Sequence, residues 1–289
     1  MDLITTLLES GVVEVIVGTL QAFERLGPDR TDEASVFVII HFLLGLQNLD
    51  LTAPDAAPIT AMLQQIPSVW AYTLEHRITH IECFGMDSSS VTAGICALLF
   101  GKEEGGGGFD FTQPMIDSLL TSQTDTFSGT LAPYFAAFLH WGRAMQHLCI
   151  SDVNKALLVE CPLTVPLLLE MLLLDPDHFR KDTDAHIKAA IQADAADCLL
   201  QLALFEPGRA LLERDSAAMD TLRQLSVSGV ALTEQATLSA NGALMAVLGR
   251  EREPEPQDEA ERDRHVMVSY QWDVSAQAIC RRLWSVGLV

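Results

Sequence analysis

The chain has 289 residues, 49% of them hydrophobic, and its 39 acidic against 18 basic side chains give a net charge of −21. That balance excludes nucleic acid as a partner, because binding a phosphate backbone takes Lys and Arg to neutralise it. The aromatic share is only 7%, and the dominance of Leu and Ala favours helices over sheets.

The six cysteines, at positions 83, 96, 149, 161, 198 and 280, form no C-x-x-C pair and no disulfide or zinc spacing. Most sit inside apolar runs, where a free thiol behaves as a small hydrophobe. A reduced, cytoplasmic setting is expected. The opening MDLITTLLESG lacks the basic region of a secretory signal. The longest apolar run, 36–46, is interrupted by His41 and falls short of the ~20 residues a bilayer crossing needs, so no membrane partner is expected.

In chain order, residues 1–23 predict a short helix, a break at Gly11 and a second helix, closed by Gly27-Pro28. Residues 33–49 predict a helix apolar on nearly every side, as in a helix buried between layers. Pro54 and Pro58 start the next helices, through 66 and over 68–81. Asp87-Ser88-Ser89 is a candidate N-cap for a helix to 100, stopped by Gly101 and the loop GKEEGGGG. Gln113-Pro114 opens a helix over 113–122, and Ser128-Gly129 marks another break. Helices are expected over 132–149, with Phe135, Phe138, Leu139, Ala144, Met145 and Leu148 inward, and over 151–160 and 163–174.

The stretch 185–248 predicts a long helix, two shorter ones and a second long helix. Ala196-Asp197-Cys198-Leu199-Leu200 aligns with Ala240-Asn241-Gly242-Ala243-Leu244, 44 positions on, and Leu157-Leu158 aligns with Leu211-Leu212, 54 positions on. The ten extra residues match a polar insertion at 175–184. Helical units recurring every ~40–47 residues are the mark of a stacked-repeat architecture, with about six or seven units in this chain. Such a unit buries its apolar face only by stacking on a neighbour.

Residues 249–264, GREREPEPQDEAERDR, are dense in charge and predict a linker. His265-Val266-Met267-Val268-Ser269-Tyr270 is a strand candidate, and Asp273 caps a helix over 274–286.

The alanine-rich pattern of 185–248, ending in Ala240-Asn241-Gly242-Ala243-Leu244, resembles the armadillo/HEAT family of helical repeats. The resemblance implies an all-α, right-handed superhelical solenoid over 1–248. Nuclear-import members of that family line a groove with Trp followed four residues later by Asn; here Trp70 is followed by Leu74 and Trp141 by Met145. The segment HVMVSYQWD, 265–273, with Ser269, Tyr270, Trp272 and Asp273, resembles the opening of a Toll/interleukin-1 receptor (TIR) domain. That resemblance implies the strand–helix start of an α/β module over 265–289. The family's self-association loop and the catalytic glutamate of its NAD-cleaving members would lie past Val289. The chain stops among apolar residues, which predicts a fragment whose Trp284, Leu288 and Val289 lack their cover.

His76, His80 and Cys83 fall at i, i+4 and i+7 on one helix face, but no further Cys/His cluster closes a metal site, and an ordinary helix face is expected. His140 and His147 repeat that spacing and predict a solvent-facing edge. GKEEGGGG has the wrong order for a phosphate loop, and no G-x-S-x-G or H-E-x-x-H occurs. No catalytic, cofactor-binding or metal-ligating residue is therefore expected, and the residues of a groove stay unassigned. The expected function is a protein-interaction scaffold in TIR-type signal transduction. Its partners would be proteins or peptides, basic ones given the charge, with homotypic TIR association only in a longer parent. The alternative is a regulatory arm for a TIR-domain NAD hydrolase whose catalytic part lies beyond residue 289.

Overall fold

Helices begin where a side chain can occupy the amide groups that an α-helix leaves unpaired at its start. Asp184, Asp215 and Thr233 each do this for the helix that follows, accepting from the backbone N–H of His186, Ala218 and Ala236 at 3.0, 3.0 and 3.1 Å. Between these caps lie the helices expected in 185–248. In a computed structural model, the described residues are 6, 8–26, 51–75, 88–102, 109–128, 135–175, 178 and 184–249. They are mostly α-helical and contain no strand.

The helices are α1 (Val12–Leu26), α2 (Ala57–Gln64, entered through a 3-10 turn Pro54–Ala56), α3 (Pro67–Glu75), α4 (Ser88–Phe100), α5 (Gln113–Ser128) and α6 (Phe135–Leu148). Then follow α7 (Asp152–Glu160), α8 (Thr164–Met171), α9 (Ala185–Leu204), α10 (Glu206–Arg214), α11 (Ser216–Leu225) and α12 (Glu234–Leu248). Gly11, at φ +66°, makes the expected break before α1. Helix α5 runs on to Ser128, six residues past its expected end, because Leu120, Gln123 and Phe127 continue its buried face. The expected helix over 33–49, the histidine–cysteine face from His76 to Cys83 and the loop 103–108 lie outside the described residues.

Packing repeats along the chain. Helix α4 rests on α6, α6 on α9, and α9 on α12. A second series runs α5, α8, α11, and α7 rests on α10. Within the first series the helices run parallel. Contacts between α6 and α9 pair Arg143 with Asp194 and Gln146 with Asp197; those between α9 and the α12 region pair Gln192 with Leu232, Asp197 with Ser239, and Leu200 with Gly242. Residue numbers rise together on both sides of each pairing, so each long helix lies alongside the next in the same direction.

The core is a continuous layer of Leu, Ala, Ile and Met shared by all these helices. Trp70 is fully buried, and its indole N–H donates to the carbonyl of Leu63 at 2.9 Å. The chain divides at Arg250 into two units, Met1–Arg250 and Glu251–Val289. All of the second unit lies outside the described residues, including residues 251–264 of the linker, Ser269, Tyr270, Trp272 and Asp273.

Candidate protein-interaction face

A helix that must touch neighbours on both sides has little room for large side chains along its seams. Helix α9 meets this with alanines at 189, 190, 193, 195, 196 and 203, and its neighbours with glycine. A Cβ on Gly142 of α6 would lie 2.9 Å from Oδ2 of Asp194, and one on Gly242 of α12 would lie 3.0 Å from Cδ1 of Leu200. The missing side chains bring the three helix axes close and let polar groups of one helix reach the next.

Those polar groups form a track. Asp194 and Asp197 stand at i and i+3 on α9, Arg143 and Gln146 at i and i+3 on α6, and Gln235 and Ser239 at i and i+4 on α12; each pair shares one helix face. Arg143, half exposed, lies 3.7 Å from the buried carboxylate of Asp194 and donates to the side-chain carbonyl of Gln146 at 3.2 Å. The Gln146 amide donates to Oδ2 of Asp197 at 3.0 Å. On the other side the Gln235 amide donates to Oδ1 of Asp197 at 3.1 Å, and the Ser239 hydroxyl donates to the same oxygen. Asp197 is thus the junction of three helices. Its three donors, one on α6 and two on α12, are all neutral groups.

Next to the track, His147 lies 4% exposed with Nδ1 3.0 Å from the carbonyl of Leu98. This corrects the expected solvent-facing edge: α6 turns His147 toward the end of α4, where it is walled in by Gly101. Burial, reinforced by Lys102 and Arg143, pushes its pKa down to about 3, so the ring is neutral at pH 7. Gln192, 1% exposed, donates to the carbonyl of Leu172 at 2.7 Å and accepts from the backbone N–H of Leu232 at 2.6 Å. It joins the turns that lead away from α8 and into α12. Cys96, Cys149, Cys161 and Cys198 are reduced and buried, as their apolar surroundings predict, and burial pushes the Cys96 thiol up.

Among the described residues no group of three His, Cys, Asp or Glu side chains is placed to hold a metal ion. None of their helices is long and apolar enough to cross a membrane. The track is an alternation of carboxylate, amide and guanidinium groups across the three helices. Sequence reasoning left this face unassigned. A signal was present: Asp194 and Asp197 are the only charged residues in α9 after Lys188, and polar groups inside an alanine-rich helix need partners. Which neighbours would supply those partners required the register of α6 and α12.

Comparison of the chain with family models, curated proteins and solved structures finds no match in any of the three.

Proposed function

We propose that residues 1–248 form an armadillo-type solenoid that serves as a protein-interaction scaffold, and that the α6–α9–α12 face binds an extended, basic peptide segment of a protein partner. The observation that carries this reading is the polar track centred on Asp197, built from three parallel helices one unit apart. The parallel stacking supports the solenoid, because repeat units that bury their faces only against neighbours place equivalent helices side by side. The net charge of −21 supports a basic partner, since it attracts cationic segments over distance. The TIR-like opening at Ser269, Tyr270, Trp272 and Asp273 adds cytoplasmic signal transduction to the proposal and rests on the sequence motif alone.

The test uses the full 289-residue chain and a set of fluorescent peptides graded in Lys and Arg content. Saturable binding that weakens with salt, and weakens further in Gln146→Ala and Gln235→Ala proteins of unchanged helicity, is the expected result. Absence of saturation with every peptide, or equal binding by both variants, overturns it.

A further inference from the structure

Two cations stand close together where the polar track begins, in a chain whose acidic side chains outnumber its basic ones by 39 to 18. Gly101, at the end of α4, packs so tightly on α6 that a Cβ there would lie 3.1 Å from Cβ of His147. The exposed Lys102 comes next in the chain. Arg143, half exposed, lies one turn before His147 on the same face of α6. Partial burial, and then the charge of Arg143, push the Lys102 amine below its usual pKa.

The described residues do little to neutralise this pair. A lysine just past a helix end ordinarily turns to the last carbonyls of that helix. Those of α4 are already served: His147 donates to Leu98, Gln64 to Leu99 and Asn154 to Gly101. Among the described residues no carboxylate lies within ion-pair distance of the Lys102 amine. Arg143 engages Asp194 and Gln146 through Nη1 alone, and at 3.7 Å the Asp194 carboxylate is beyond hydrogen-bond reach. Nε and Nη2 of Arg143 have no partner among the described residues.

We infer that Lys102 and Arg143 form a subsite for an oxyanion, a carboxylate or phosphate group carried by the peptide that lies on the α6–α9–α12 face. The open edge of the Arg143 fork matches a pair of oxyanion oxygens, and Lys102 adds a compact charge beside it. An anion between the two cations also offsets their mutual repulsion. Arg143 is the end of the track nearest α4, and Asp197 is its centre. The pair therefore sets the direction of the ligand, with its acidic group at α4 and its basic residues over Asp197. That the oxyanion is carried by a peptide rests on the function proposed above; that the pair takes an oxyanion does not.

Two measurements on the full chain test this. In the first, lysines are acylated with an amine-reactive ester in inorganic phosphate or in chloride of equal ionic strength, and each site is read by mass spectrometry. Phosphate should slow modification of Lys102 at least about threefold, leave Lys188 unchanged, and lose its effect in Arg143→Gln. Equal rates at Lys102 in the two salts refute the subsite. The second compares fluorescent peptides that share one basic segment and carry Ala, Glu or phosphoserine at one end or the other. Glu or phosphoserine at one end only should tighten binding at least about threefold over Ala, and whichever gains more identifies the natural oxyanion. Lys102→Gln should abolish the gain without weakening the Ala peptide, whereas Arg25→Gln, on α1, removes one charge elsewhere and should keep it. Peptide binding indifferent to the added anion, or a gain that survives Lys102→Gln, overturns the inference. Phosphate protection of Lys102 with no binding of any peptide would leave the oxyanion site standing and remove the peptide face, so the two failures are told apart.

Discussion

His147 and Gln192 show how much a single buried polar side chain can determine. His147 is neutral in the fold, with a pKa of about 3 against an ordinary 6.5. Below pH 6.5 the unfolded chain takes up a proton that folded His147 refuses until about pH 3. Its contribution to stability is therefore whole above pH 6.5 and is lost as the pH falls, by about 1.4 kcal/mol per pH unit within that window. In His147→Asn the amide can still donate to the Leu98 carbonyl but cannot titrate. Urea unfolding of the two proteins from pH 7 to pH 4 should show a flatter decline for the variant. Gln192 satisfies one carbonyl and one N–H in the interior. Gln192→Leu leaves both unpaired and should cost about 2–4 kcal/mol, measured by the same unfolding experiment at pH 7.

At the scale of the element, helix ends and helix seams are specified separately. Thr233 caps α12 through Ala236; Thr233→Ala should lower stability by about 1 kcal/mol, seen as a fall in Tm. The seam between α6 and α9 depends on Gly142. In Gly142→Ala the added methyl meets Asp194 at 2.9 Å, so the Arg143–Asp194 and Gln146–Asp197 contacts must shift. A loss of about 1–3 kcal/mol is expected. Because α9 is common to both seams, the same variant should also weaken whatever binds across the α6–α9–α12 face. Leu173, just past the end of α8, sits at φ +52°, a conformation that Leu adopts at some cost. Its partly buried side chain packs on the core and holds it there.

At the scale of the whole molecule, the proposed solenoid predicts stability graded along the stack, since each unit would depend on its immediate neighbours. Helix α9 lies between α6 and α12 and carries nine buried residues; α12, which no described helix follows in that series, carries five. Hydrogen exchange read by mass spectrometry should find the amides of α9 slowest and those of α12 distinctly faster. Equal protection in both would mean that the stack opens as one unit.

The helical class and the order of elements in 185–248 were legible from the sequence. Alanine-rich runs and the 44-residue recurrence between 196 and 240 are local signals, and local signals survive without a partner. The burial of the described cysteines follows from the same patterns. The sequence alone did not tell that His147 turns inward, that α5 runs on to Ser128, or that Asp197 joins three helices. Each of these depends on which side of a helix meets a neighbour some 40 to 50 residues away. Helical periodicity fixes which residues share a face, but only the packed chain decides what that face is pressed against.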